Sequence, residues 1–258
     1  MIPASITQLL PADVMILALT FSRVGTMVMV LPAIGEATIP PRARLAFALA
    51  LTLVMAPVVG HLYPQVSTVN VALLTGLLLT EVIIGLAVGL IVRMMLSAVQ
   101  VAGNVIATQT GLAFSQTFDA SQGTQSALLS MFLSLLAVTL IFATELHHVL
   151  IAGIEHSFAL FPPGKMPSTA DFMKLAVETV SGLFTTGLQM SAPFVVFGII
   201  LYAAAGVISR MMPQLQVFFI AMPLNILAGF VILGLSLSTM MLWFLEAFQT
   251  QAQLFVPH

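Results

Sequence analysis

Long apolar runs, separated by short polar or proline-rich connections, dominate the chain. A membrane-spanning helix needs roughly 20 apolar residues, and six segments are close to or above that length. They cover residues 12–33, 42–60, 69–107, 126–153, 170–209 and 214–250. None of the runs alternates with a period of two, so β-structure is not expected. The pattern predicts an all-α membrane protein of about six long hydrophobic helices.

Two of these segments, 69–107 and 170–209, are too long for one straight crossing of a bilayer. Prolines interrupt several runs, at Pro32, Pro57, Pro193 and Pro223. An interior proline removes a backbone hydrogen bond, and in lipid the freed carbonyl needs protein or water beside it. We therefore expect broken helices with protein or water beside the breaks.

Small residues recur on single helical faces, at Gly85 and Gly89 and again at Gly103, Ala107 and Gly111. Such faces let helix backbones approach closely. One interpretation is packing within the chain. The other is that the chain is one piece of a tightly packed multi-subunit assembly.

The composition supports a membrane location for the whole chain. Of its 258 residues 60% are hydrophobic and only 6% are charged, whereas a soluble domain is about 25% charged. Because this small number of charges cannot cover a surface that faces water, most of the protein surface must face lipid or other apolar protein. The net charge of −2 provides no electrostatic footprint for nucleic acid. We expect residues 1–258 to form a single membrane domain.

The segment 103–125 is polar although it lies between two apolar runs. It reads GNVIATQTGLAFSQTFDASQGTQ, with Asp119 as its one charge and two aromatics, Phe114 and Phe118. Its amides and backbone would go unsatisfied in lipid, so it must face water or a wet protein cavity. It is either a plain solvent-exposed loop or a loop that lines or plugs a pore, narrowed by its aromatics.

Four charged residues lie within or near apolar runs: Arg23, Glu81, Arg93 and Glu145. Charges at membrane depth are costly and are therefore candidates for function. They could form a proton or ion pathway, or ion pairs between neighbouring helices or subunits. Pairing is the favoured interpretation because no helix carries a ladder of Asp, Glu or His. The sequence leaves the partners open.

Signatures of catalysis are missing from the sequence. Glu145, His148 and Glu155 share a helical face, but the HExxH zinc-protease pattern, GxSxG and the P-loop do not occur. The absence of cysteine excludes thiolate ligands and disulfides. We therefore expect no enzyme activity, no metal site and no cofactor.

Four characteristic blocks of sequence follow one another along the chain. The first is Arg23 with Pro32, Gly35 and IPPRARL at 39–45, and the second is the Glu81, Gly85 and Gly89 helix. The third runs from Gly103 through Gln109 and Gly111 to Asp119, and the fourth is RMMPQLQVFFIAMP at 210–223. Taken in this order, the blocks resemble the FliR family of type III export-gate proteins, whose relatives in injectisomes are the SctT-type proteins. Ala120 replaces the proline that is usual after the aspartate in that family, and Asn104 replaces a frequent glutamate.

This resemblance implies a structural subunit of the flagellar export gate, in the basal body at the bacterial inner membrane. It also implies that the helices form bent hairpins within a helical multi-subunit assembly. The implied partners are FliP-type and FliQ-type gate subunits, an FlhB-type switch protein, membrane lipid and the unfolded flagellar proteins that pass through. Pore-loop or plug roles would fall to Gly103, Gln109, Gly111, Phe114, Phe118 and Asp119. Hairpin turns and subunit contacts would involve Arg42, Arg44, Arg210, Pro213, Gln214 and Pro223.

Three other functions are compatible with parts of the sequence. A secondary transporter for a small solute fits the broken helices and scattered charges, although no internal repeat is visible. An intramembrane enzyme is disfavoured by the missing motifs. The equivalent subunit of a virulence injectisome is barely separable from a flagellar one by sequence alone.

Overall fold

A computed structural model describes residues 12–36, 39–63, 71–112, 128–165, 169–212 and 217–253. Within these ranges all regular structure is helical, which confirms the all-α prediction. The helices are α1 (Ala12–Val30), α2 (Pro41–Val59), α3 (Val71–Gln109), α4 (Leu128–Ala143), α5 (Leu146–Leu160), α6 (Thr169–Met211) and α7 (Val217–Ala252). A 3₁₀ turn, Gly60–Leu62, follows α2.

Five of these helices are long and apolar enough to cross a membrane, and the number is up to six when α4 and α5 count as one broken span. The prediction of about six long hydrophobic helices is thereby confirmed. α3 and α6 contain 39 and 43 residues, so at 1.5 Å per residue each is about 60 Å long. That is about twice the thickness of a hydrocarbon core.

The sequence prediction of one helix over 126–153 is wrong. Between α4 and α5 the helix axis bends by 78°. Glu145 stands at the bend with a φ of 60°, in the left-handed region that non-glycine residues seldom adopt. Because a left-handed residue cannot continue a right-handed helix, the chain turns here and starts a new helix at Leu146.

The described residues divide into two compact units. Unit 1 comprises the residues up to Met95, then Glu145–Thr179 and the residues from Thr250 onward. Unit 2 comprises Leu96–Thr144 and Val180–Gln249. The single-domain organisation expected from the sequence stays a prediction.

Unit 1 is organised around α1, which packs against α2 and against the first half of α3. Two glycines make the second contact close. A Cβ on Gly85 would collide with the Thr26 hydroxyl, and one on Gly89 would lie 3.1 Å from Cβ of Val30. In unit 2 a Cβ on Gly103 of α3 would lie 2.5 Å from Cα of Ser130 in α4. The interpretation of the small residues as packing within the chain is confirmed at these three glycines.

Candidate functional site

A buried ion pair joins three helices of unit 1. Nε of Arg23 on α1 lies 2.5 Å from Oε2 of Glu81 on α3, and both side chains are fully buried. Nη1 of Arg23 donates a second hydrogen bond, of 2.9 Å, to the backbone carbonyl of Ser157 on α5. The guanidinium thus links α1, α3 and α5. Arginine suits this position because its planar fork donates in several directions at once.

Two aromatic side chains lie beside this pair, and one of them contacts the guanidinium. Cζ of Arg23 lies 4.2 Å from the ring centroid of Phe158, within the range of a cation–π interaction. The ring of Tyr63 meets Phe158 edge-on, with 6.4 Å between centroids. Burial, followed by the nearby Glu81 carboxylate, raises the pKa of the Tyr63 phenol well above its usual range. The Tyr63 hydroxyl therefore stays protonated and remains a hydrogen-bond donor.

The sequence pattern explains why α1 and α3 meet at this point. Glu81 and Gly85 are four residues apart and so lie on one face of α3. A Cβ on Gly85 would lie 2.5 Å from the backbone carbonyl oxygen of Arg23. The glycine therefore lets α1 come close enough for Arg23 to reach Glu81.

The other two charges predicted for the interior are placed differently. The side chains of Arg93 on α3 and Glu145 at the α4–α5 bend are both exposed on the single chain. The chain itself does not bury these two charges, and their burial against lipid or a neighbouring subunit stays a prediction. The reason at Glu145 is the break itself, since the bend carries its side chain outside the helical packing.

The second notable arrangement is the C-terminus of α3, where the polar segment 103–125 begins. The last carbonyls of a helix have no partner within it and need other donors. Here the backbone N–H groups of Thr110 and Gly111 donate to Ile106 and Thr108, at 2.9 and 3.3 Å. Gly111 has a φ of 77°, as expected for a glycine that ends a helix in the left-handed conformation.

The carbonyl of Gln109 is satisfied from another helix. Nδ2 of Asn225 on α7 donates to it at 2.9 Å, and Asn225 is only 4% exposed. A Cβ on Gly111 would lie 3.6 Å from the same amide nitrogen. Sequence reasoning did not single out Asn225. The available signal was a lone amide in a strongly apolar run, two residues after Pro223.

Three other helices of unit 2 hold this end of α3. Besides the Gly103–Ser130 contact with α4, the amide of Gln109 lies against Gly198 on α6, where a Cβ would clash with Oε1. The side chain of Thr110 lies against Gly229 on α7, where a Cβ would lie 2.9 Å from Cβ of Thr110. The helix end is fixed by close contacts that leave no room for larger residues.

The exposed face of α3 changes character along the helix. Between 77 and 92 the exposed residues are all apolar, namely Leu79, Ile83, Leu86 and Leu90. Between 96 and 109 they are all polar and uncharged, namely Gln100, Asn104 and Thr108. The polar residues are four apart and form one stripe, called here the α3 polar stripe.

The predicted pore-loop residues fall in three places. Gly103 and Gln109 belong to α3, so the prediction of a non-helical loop beginning at Gly103 is wrong at its start, because the helix continues to Gln109. Gly111 forms the turn that ends the helix. Phe114, Phe118 and Asp119 lie outside the described residues.

The predicted turn and contact residues are also dispersed. Arg42 is exposed in the first turn of α2, whereas Arg44 is half-buried and donates from Nη1 to the carbonyl of Gly35, at 3.4 Å, across the α1–α2 turn. Arg210 is exposed in the last turn of α6. Pro223 lies inside α7 and not at a turn. Pro213 and Gln214 lie outside the described residues.

Charged groups and histidines do not gather elsewhere in the described ranges. No three His, Asp or Glu residues there come together in a way that could hold a metal ion. The rings of His147 and His148 lie next to each other at a tilt of 35° beside the α4–α5 bend, with 4.1 Å between their centroids. The arrangements that remain are the buried ion pair and the anchored end of α3.

The chain has the features of an integral membrane protein. Its helices are long and apolar enough to cross a membrane, and its one fully buried ion pair among the described residues joins three helices. The family described as Bacterial export proteins, family 1 matches residues 14–251 of the chain. A flagellar biosynthetic protein FliR from Caulobacter vibrioides is 40% identical over 232 residues, 90% of this chain and 92% of the relative.

More distant relatives carry the same name. The FliR protein of Bacillus subtilis is 30% identical over 91% of this chain and 89% of its own length. The FliR protein of Escherichia coli is 28% identical over 80% of this chain and 78% of its own length. The chain belongs to the flagellar biosynthetic protein FliR family, as the resemblance of its sequence blocks predicts.

Proposed function

We propose that this chain is a structural subunit of the flagellar type III protein-export gate, where it helps to form and close the channel for unfolded flagellar proteins. The observation that carries this proposal is membership of the FliR family across nearly the whole chain. As a member of that family the chain is a component of the flagellar export apparatus, embedded in a membrane through its apolar helices. We place the protein in the inner membrane at the flagellar basal body. Its proposed role involves no covalent chemistry.

The α3 polar stripe supports a channel role for the end of α3. Amide and hydroxyl side chains facing lipid would lose their hydrogen bonds to water. Within the chain the Thr108 hydroxyl donates to the Asn104 carbonyl, and Oδ1 of Asn104 accepts from Ser130. The amide groups of Gln100 and Asn104 are therefore the part of the stripe that requires water or polar protein beside it. Uncharged polar groups suit a passage for many different polypeptides, because they do not select for the charge of the passing chain.

The polar stretch that follows α3 is the proposed plug of this channel. Gly111, Phe114, Phe118 and Asp119 are its proposed closing residues, and Gly103 and Gln109 fix its start. Contacts from α4, α6 and α7 hold the helix end from which the stretch continues. A plug needs such an anchor, since a loop attached to a loosely held helix could not return to the same closed position.

The proposed partners are FliP-type and FliQ-type subunits, with an FlhB-type protein at the closed end. Large apolar side chains are exposed along α6 and α7, among them Phe184, Ile199, Leu227 and Leu235. These faces need lipid or apolar protein against them. Arg42, Arg44, Arg210, Pro213, Gln214 and Pro223 are the proposed hairpin and subunit-contact residues.

The competing functions are not favoured. The relatives carry the flagellar name throughout, which disfavours the injectisome subunit. A transporter for a small solute or an intramembrane enzyme lacks support from the family. Purified chain in liposomes is expected to produce no solute flux.

The decisive experiment is a pull-down of the tagged chain from its native host in mild detergent, followed by mass spectrometry. We expect FliP-type and FliQ-type subunits in one discrete complex, and loss of hook and filament protein secretion when the gene is deleted. A tagged, unrelated protein of the same membrane serves as the control. Recovery of the chain alone, with secretion intact in the deletion strain, would overturn the proposal.

A further inference from the structure

Around the Arg23–Glu81 pair, four buried side-chain atoms have no hydrogen-bond partner among the described residues. They are the hydroxyl of Thr20, Nη2 of Arg23, the hydroxyl of Tyr63 and Oε1 of Glu81. Thr20, Arg23 and Glu81 have no exposed surface, and Tyr63 is 8% exposed. Buried polar atoms are almost always hydrogen-bonded, because an unpaired one loses its hydrogen bonds to water without replacement.

These atoms lie close together around the ion pair. Arg23 and Glu81 are in direct contact, and Thr20 precedes Arg23 by three residues on the same face of α1. Arg23 and Tyr63 both contact the ring of Phe158. The hydroxyl of Tyr63 interacts with Thr20 and with the charges of Glu81 and Arg23, although neither hydroxyl forms a well-directed hydrogen bond with a described residue.

We propose that unit 1 holds a bound water molecule that bridges Nη2 of Arg23, Oε1 of Glu81 and the hydroxyls of Tyr63 and Thr20. Water accepts a hydrogen bond from the guanidinium and donates one to the carboxylate. Its remaining positions serve the two hydroxyls. A buried water typically makes about three such bonds, so four available partners are sufficient.

The charges of the cluster select water over an ion. Arg23 and Glu81 carry one positive and one negative charge, which balance each other. A bound cation would face the guanidinium, and a bound anion would face the carboxylate, so either would add an uncompensated charge to a buried site. A neutral molecule that both donates and accepts satisfies every atom without that cost.

The bound water provides partners for the two atoms of the ion pair that the direct contacts leave out. A buried pair is tolerated best when the remaining donors and acceptors of both ions are satisfied. The direct bond and the Ser157 carbonyl use Nε and Nη1 of Arg23. The water reaches Nη2 of Arg23 and Oε1 of Glu81, and it thereby contributes to holding α1, α3 and α5 together. This inference does not depend on the export role.

The test is a density map of the protein purified from native membranes with its accompanying subunits, at a resolution that shows ordered water. We expect a peak within hydrogen-bonding distance of at least three of the four atoms. The double variant Thr20→Val with Tyr63→Phe removes two partners and is expected to lose the peak. The single variant Tyr63→Phe should lower the ratio of folded to unfolded protein about fivefold, the loss of roughly one hydrogen bond.

Thr52→Val is the matched control for this experiment. Thr52 is a fully buried threonine of unit 1 whose hydroxyl already donates to Ala48 of its own helix, at 2.7 Å. Its replacement should leave both the peak and the stability unchanged. A map that resolves ordered water elsewhere but shows direct bonds among the four side chains, with no peak, would overturn the proposal. A peak that survives the double variant would overturn it equally.

Discussion

At the scale of single residues, Arg23 and Glu81 are the most consequential pair in the described structure. A buried ion pair is a weak source of net stability, because desolvating two charges offsets much of their attraction. Removing one partner is different, since the other is then left buried and uncompensated. The pair therefore favours one register between α1 and α3, because each charge is tolerated in the interior only when the other lies beside it.

Replacing Arg23 alone is expected to destabilise the protein strongly. Arg23→Met should lower the free energy of unfolding by about 3–5 kcal/mol, whereas Arg23→Met combined with Glu81→Leu should recover most of that loss. The measurement is unfolding in mixed detergent micelles. Lys174→Met is the control, since the Lys174–Glu178 pair is exposed at 4.0 Å and contributes about 0.5 kcal/mol or less. Equal losses at both pairs would contradict this account.

At the scale of helices, the sequence predicts well which segments are helical. It does not predict where a helix breaks or which helices contact one another. The apolar runs identify the long helices because a membrane-length run has few alternatives. The bend at Glu145 carries no proline or glycine, so hydropathy shows a continuous segment across it. Asn225 and Gln109 are 116 positions apart, and no local pattern reports such a contact. The resemblance of the sequence blocks to a family singled out α3 and the polar segment 103–125. It did not indicate which helices hold the end of α3.

The α4–α5 bend makes a testable prediction at Glu145. Glutamate pays about 1 kcal/mol for its left-handed backbone, a cost that glycine largely avoids. Glu145→Gly should therefore raise the free energy of unfolding by about 0.5–1 kcal/mol, and Glu145→Val should lower it. Glu155→Gly, an exposed position inside α5, is the control and should cost about 1 kcal/mol. A loss in both glycine variants would show that the bend is not held in this conformation.

The close packing of α3 on α4 gives a second prediction for helices. A Cβ at Gly103 would meet backbone as well as side-chain atoms of Ser130, so the two helices must separate. Gly103→Ala should lower the free energy of unfolding by about 1–3 kcal/mol. Gly76→Ala lies on the same helix with nothing within 4 Å of the added carbon. It should be neutral or stabilise the helix by up to about 1 kcal/mol, and similar losses at both sites would contradict the packing argument.

At the scale of the whole molecule, the chain has few charges, so its uncharged exposed residues indicate which parts face apolar surroundings and which face polar ones. Between residues 77 and 92 α3 exposes leucine and isoleucine, the exposed Arg93 follows, and between 96 and 109 the helix exposes only amides and a hydroxyl. One helix thus passes from apolar surroundings into polar ones. On the proposed function, the polar half faces the passing polypeptide and the apolar half faces lipid or neighbouring subunits.

Photo-crosslinking can distinguish these two faces directly. A photoreactive amino acid placed at Gln100, Asn104 or Thr108 should crosslink to an export substrate stalled in the gate. The same group at Ile83 or Leu90, which are exposed on the apolar half, should give crosslinks to lipid or to other subunits only. Cells without the stalled substrate provide the background. Substrate crosslinks from the apolar positions, or none from the polar stripe while the substrate is stalled, would mean that α3 does not face the channel. In that case the stripe must be covered by a polar surface of another subunit, because lipid cannot satisfy its amides.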